Sequence, residues 1–180
     1  GKFPEPLYQA WLEVLMRPLT TQYDFAENSG DIKYERIAEP MYRYDYTYWS
    51  SPVSPQTLGG LSPLTLADKY FKWDSNLQDW TNVLRGDEMV QGLGYIIRAP
   101  QTFSTNPLAP EEFTGDFEGT PNNGVVTVAV EGSTTAQKWN LLGNPYPSAI
   151  DIEKFLTYLE IFKDNHSYKG AYKAPSSAKE

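Results

Sequence analysis

The sequence has no cysteine and a single histidine in 180 residues. Without cysteine there is no disulfide, no thiolate nucleophile and no thiolate-bound zinc. This fits an intracellular protein and many secreted bacterial proteins equally well. One histidine excludes a multi-histidine metal site and leaves a Ser–His–Asp triad only one base. That residue, His166, lies in the polar stretch Asp164-Asn165-His166-Ser167 and reads as a solvated surface group. Positive charge is scarce too, with 15 Lys and Arg against 23 Asp and Glu and a formal net charge of -8. Phosphate binding needs a basic face, so no nucleic-acid partner is expected. No apolar run approaches the roughly 18 residues of a membrane-spanning helix. The first residues, Gly1-Lys2-Phe3-Pro4-Glu5, carry no signal-peptide pattern, which leaves open a removed signal or an internal piece of a longer protein.

Aromatics are abundant instead: 13 Tyr, 8 Phe and 5 Trp. Rings pack well across a pleated surface, so this bias favours strands. The 13 Gly and 14 Pro fall between apolar runs and act as connectors. Together they predict a mainly β fold, a two-sheet sandwich with long Pro/Gly-rich loops and one or two short helices. The length suits one domain with its own core, or one domain plus an attached segment. We divide the chain into an N-terminal segment over 1–30, a β-rich extracellular module over 31–162, and a polar C-terminal segment or truncated continuation over 163–180.

Within 1–30, Leu7, Trp11 and Leu15 share one helical face, so residues 7–16 read as a short helix or as an edge strand or packed linker. Residues 31–39 nearly alternate, as a strand does. Tyr42, Tyr44, Tyr46 and Tyr48 then recur at every second position, with Arg43, Asp45, Thr47 and Trp49 on the other side. The tyrosines either wall a core or form an exposed platform. The core is preferred, because exposed strips of four rings are costly in solubility. Residues 54–66 read as a loop. Tyr70–Trp73 and Leu77–Val83 read as strands joined by a turn at Asp74–Asn76. The run Asp74–Asp79 resembles a calcium loop but lacks the glycine and terminal Glu of an EF-hand, so a plain acidic turn is preferred and structural calcium stays open. Gly92 and Gly94 precede a strand, Tyr95–Arg98. They read as a bulge or tight strand entry, not as a dinucleotide fingerprint.

Residues 112–130 are expected to form a β-hairpin about Asn123-Gly124, because Asn-Gly supplies the left-handed conformations of a tight turn. Trp139–Leu142 reads as a further strand. Asn144, Pro145 and Pro147 fix the next turn, and the bonds before both prolines are candidates for cis. Ser148 or Asp151 would cap a helix over 152–159. Two signatures stand about 90 residues apart in all this: Tyr46-Thr47-Tyr48-Trp49-Ser50-Ser51-Pro52-Val53, and Trp139 through Asn144-Pro145-Tyr146-Pro147 to Asp151. Each joins an apolar run to a rigid turn.

Three functional readings follow. Paired carboxylates at Asp87-Glu88, Glu111-Glu112 or Asp151/Glu153 would serve a glycosidase only if two converged across a cleft. Trp49, Trp73, Trp80 and Trp139, each near Asp, Asn or Gln, are candidates for stacking on sugar rings. Trp49, Trp80 and Trp139 also fit a core, together with the tyrosines. The third reading, a non-catalytic structural or adhesion module with no cofactor, is preferred, with a glycan-binding module as the alternative and a carboxylate glycosidase behind it.

A family resemblance rests on an ordered series of blocks: Met41 to Val53, Leu61 to Phe71, Met89 to Arg98, Phe117 to Val128, and Asn140 to Asp151. Over residues 31–156 the chain resembles large secreted and surface proteins of Flavobacterium-like Bacteroidetes. The resemblance implies export by the type IX secretion system and release or attachment at the outer membrane, with some members being adhesins linked to gliding motility. It implies partners among other domains of the same polypeptide, secretion or outer-membrane components, and surface glycans. It supplies no catalytic residue. Residues 1–30 and the lysine-rich end beyond Phe162 depart from it, and the family's C-terminal sorting domain is absent here.

Overall fold

The structure is a computed structural model that describes residues 28–132 and 138–154. Among the described residues up to Pro121, seven strands and one short helix follow in order: β1 (Ile32–Ile37), β2 (Tyr46–Trp49), β3 (Val53–Ser54), α1 (Leu58–Leu61), β4 (Tyr70–Asp74), β5 (Asp79–Asn82), β6 (Tyr95–Arg98) and β7 (Thr114–Pro121). They form two antiparallel sheets, one of three strands ordered β1-β7-β3 and one of four ordered β2-β6-β4-β5. The fold is the expected mainly β two-sheet sandwich with only short helical elements. No helix among the described residues is long and apolar enough to cross a membrane. The expected helix over 7–16 and His166 lie outside the described residues.

Alternation builds the core. On β7, Gly115, Phe117 and Gly119 point inward while Asp116 and Glu118 point out. The four-stranded sheet contributes Trp49, Tyr70, Tyr95 and Ile97, and these pack with Val53, Leu58, Leu61, Met89 and Phe117. Trp49 stands edge-on to Phe113 at 5.7 Å and tilted against Phe117 at 5.9 Å. Gly115 makes room for it, since a Cβ there would lie 2.8 Å from the indole. Burying such aromatic side chains contributes about 2–3 kcal/mol each.

Segment 54–66 is more ordered than the expected loop. Thr57 caps α1 by accepting the Gly60 N–H at 3.0 Å, which satisfies one of the free amides at a helix start. Tyr70 then donates its hydroxyl hydrogen to the Ser62 carbonyl at 2.7 Å, and burial raises its pKa.

The expected hairpin over 112–130 does not form. Gly124 has the left-handed φ of +74° that the turn demands, yet Val125–Val130 makes no ladder with β7. The positions beside the turn are already taken. Thr120 and Pro121 pair with Ser54 and Val53, and the Pro121 carbonyl accepts a bond from Asn28 Nδ2 at 2.9 Å. The expected strand over Trp139–Leu142 is likewise a single bridge, Leu93 to Leu142, flanked by Gly94 N–H to the Leu141 carbonyl and Gly143 N–H to the Gly92 carbonyl. The one cis peptide bond among the described residues precedes Pro55, so those before Pro145 and Pro147 are trans. Of the helix expected over 152–159, residues 152–154 are described and helical, and Asp151 accepts the Lys154 N–H at 3.1 Å as a cap should.

Candidate functional site: an aromatic sheet face

The strand register sets what lies on the outer face of the four-stranded sheet. Tyr48 stands opposite Ile96, which stands opposite Phe71, which stands opposite Asn82. Trp73 pairs with Trp80 in the next row. Tyr46 pairs with Arg98, whose backbone N–H bonds the Lys69 carbonyl, so Tyr46, Arg98 and Lys69 form a third row. Period-two alternation puts all of these on one side and Thr47, Trp49, Tyr70, Tyr95 and Ile97 on the other.

This corrects the expected tyrosine wall. Tyr44, Tyr46 and Tyr48 are 53%, 40% and 66% exposed, while Trp49 is buried. The expected alternation holds only over Tyr46–Trp49, since Tyr42 and Tyr44 lie in the turn before β2, and there the faces are exchanged. The indole has the larger apolar surface and fits over Gly115, whereas the phenol hydroxyls need no buried partner when they face water. Arg43 and Asp45 are occupied in the turn before the strand. The Arg43 Nε donates to the Phe103 carbonyl at 2.9 Å, and Asp45 accepts the Tyr42 N–H at 3.0 Å.

The exposed rings hold one another. Tyr46 meets Phe71 at 5.9 Å, Tyr48 meets Trp80 at 6.4 Å, and Trp80 meets Trp73 edge-on at 5.3 Å. Such pairs add about 0.5–1.5 kcal/mol beyond burial and fix ring orientation. The segment 138–142 borders this face. The Trp139 carbonyl accepts from Trp73 Nε1 at 2.8 Å and Gln78 Nε2 at 3.1 Å, its N–H donates to Gln78 Oε1 at 2.7 Å, and its indole is largely exposed.

Of the four tryptophans proposed to stack a ligand, three therefore lie on or beside one face, namely Trp73, Trp80 and Trp139. Trp49 is in the core and presents no free face, so it is withdrawn as a stacking residue. Conversely, Trp80 and Trp139 are not core residues. Sequence reasoning missed Phe71, Arg98 and Lys69 as members of this face. Their positions relative to the buried Tyr70 and Ile97 were the available signal.

The turn residues have a different role. Asn122, beside the expected Asn123-Gly124 turn, is buried and joins the two signatures. Its Nδ2 donates to the Ser51 carbonyl at 3.1 Å and the Pro145 carbonyl at 2.8 Å, and its Oδ1 accepts from Gln91 Nε2 at 2.7 Å. Asn144 shapes its own turn by accepting the Tyr146 N–H at 3.0 Å and donating to the Ser148 carbonyl at 2.6 Å. Tyr146 donates to the Gly124 carbonyl at 2.7 Å. The signatures thus meet as a structural junction.

The acidic candidates are engaged locally. Asp74 accepts the N–H groups of Asn76 and Leu77 at 2.8 and 3.1 Å, the geometry of a side-chain-stabilised turn. Asp87 accepts the Leu84 N–H at 2.9 Å, and Glu111 accepts the Ser104 N–H at 2.5 Å. Among the described residues, no group of three or more His, Asp or Glu is placed to hold a metal ion.

Fold and face define a class: an antiparallel β-sandwich module with an aromatic platform on the outside of its larger sheet. The chain belongs to the family described as a domain of unknown function (DUF8693), which matches residues 18–172. No curated protein and no solved structure matches it.

Proposed function

We propose that this chain is a non-catalytic recognition module that binds glycans on the outer face of its four-stranded sheet. The observation that carries this is the exposure of Tyr44, Tyr46 and Tyr48 beside Trp80, Trp73 and Phe71. A contiguous exposed apolar patch marks an interaction surface. Its composition favours sugar. A pyranose presents weakly positive C–H bonds that suit the negative face of an aromatic ring. Polar groups at the edges, the tyrosine hydroxyls and Asn82, suit sugar hydroxyls. Tyr46 and Tyr48 stand about 7 Å apart, two residues along the strand, which leaves room for more than one ring of an extended chain.

The sequence resemblance to exported surface proteins suits such a role, with adhesion of a surface-attached or secreted polypeptide to polysaccharide as its outcome. The test is a glycan array with and without calcium, with tryptophan fluorescence following any hit. Saturable binding that Trp80→Ala abolishes supports the reading. A folded sample that binds no glycan under either condition overturns it, and concentration-dependent self-association in the same sample would instead make the face an assembly surface.

A further inference from the structure

We propose that the face selects anionic polysaccharides, with the Arg98 guanidinium as the receptor for a uronate carboxylate or sulfate ester. This rests on the glycan reading above and adds the charge of the ligand. Arg98 is 9% exposed and lies on the aromatic face between Tyr46 and Lys69. Among the described residues its side chain has one hydrogen bond, from Nη2 to Gln101 Oε1 at 2.8 Å, and its buried Nε has no acceptor. Among the described residues no carboxylate forms an ion pair with it. Asp68 feels its field but is held by Lys69 Nζ at 2.6 Å. The Tyr44 ring lies over the guanidinium, 5.9 Å from centroid to Cζ.

A buried cation without a counter-charge is unfavourable, and a protein with a net charge of -8 has carboxylates in ample supply. Among the described residues no carboxylate pairs with this cation, so its charge is left uncompensated for an incoming acid group, which would meet the outer, Nη edge of the guanidinium because Nε is buried. Guanidinium is a planar fork matched to two oxygens of one acid group, and it binds them more strongly when partly removed from water. The position is also built. Thr65 Oγ1 donates to the Arg98 carbonyl at 2.6 Å, Ser62 Oγ bonds Thr65 Oγ1 at 2.9 Å, and Tyr70 ties the same loop from below. Lys69 lies in the same row at a more exposed position, with its Nζ paired to Asp68 at 2.6 Å. Sugar rings resting on Tyr46 and Tyr48 would bring an acid substituent toward this pair.

The test compares binding of the whole chain to alginate, dextran sulfate, a neutral β-glucan and polyglutamate by calorimetry. At least one of the two acidic polysaccharides should bind tenfold or more tighter than the neutral glucan, and alginate against dextran sulfate identifies the acid group. That preference should fall with added salt, while neutral binding should not. Arg98→Gln should reduce the preference to near unity, and Lys69→Gln, at a more exposed site, should reduce it in part even if Arg98→Gln fails to fold. Equal binding of neutral and acidic glycans overturns the proposal and leaves the glycan reading intact. Equal binding of polyglutamate and acidic glycan also overturns it, because charge alone would then be recognised. Binding of none overturns both.

Discussion

Replacing Asn122 with alanine should destabilise the fold far more than its place in a polar turn suggests. The carboxamide makes three hydrogen bonds, at 3.1, 2.8 and 2.7 Å, to Ser51, Pro145 and Gln91. Each is worth about 0.5–1.5 kcal/mol net, and a buried carbonyl left without a donor costs about 1–3 kcal/mol. Two carbonyls lose their donor in this variant, and some rehydration is expected at the 7% exposed site. The sum is about 2–4 kcal/mol. Urea unfolding followed by tryptophan fluorescence measures it, with the midpoint falling and the slope unchanged. Asn122→Asp separates bonding from size. It keeps the volume but turns the donor into an anion facing two carbonyls, so it should be at least as damaging. A loss below about 0.5 kcal/mol for Asn122→Ala, the range of an ordinary surface substitution, would refute the view that this side chain joins the two signatures.

Gly115→Ala should cost about 1–3 kcal/mol through overpacking, because its Cβ would meet the Trp49 indole and Leu61 at 2.8–3.0 Å; thermal melting checks this. Thr57→Ala should cost about 1 kcal/mol through loss of the α1 cap, while Thr57→Ser should cost much less. Burial raises the pKa of Tyr70, Tyr95 and Tyr146 above the ordinary 10.0. The unfolded chain therefore ionises first, so the native state holds more protons above about pH 10. Stability should be level in this respect below pH 10 and fall as pH rises past it. Urea midpoints from pH 8 to 11 test this, and a midpoint that rises with pH would contradict it.

Much of the fold was legible because alternation survives in its strands. Ile32–Ile37, Tyr70–Asp74 and the Gly115/Phe117 alternation were readable, as was the left-handed Gly124. The expected hairpin is absent because Asn-Gly specifies a turn but not what pairs after it. The partners of β7, Ile32–Ile37 and Val53–Ser54, lie more than 60 residues upstream and had already filled its edges. The tyrosines of β2 lie on the side opposite to that expected, because period two fixes which residues share a face but not which face meets the core. That choice was made by Trp49 fitting over Gly115, a contact across 66 residues of sequence. The role of Asn122 is not legible in its local sequence, because its bonds reach 71 residues back and 23 forward. Helix-like signals were too short in Leu58–Leu61 for periodicity to register, and only the Thr57 cap marks that turn.

The most direct measurement is a fluorescence titration of the wild-type chain and of Tyr48→Ala and Trp80→Ala with the best-binding polysaccharide of the array. Both side chains lie on the outer face and outside the core cluster. The account predicts a saturable signal in the wild type and a tenfold or greater loss of affinity in each variant, measured at a temperature where circular dichroism shows both variants folded, since the lost ring pairs lower their melting temperatures. Unchanged affinity in folded variants would contradict it, because the ligand would then bind elsewhere than on the aromatic face.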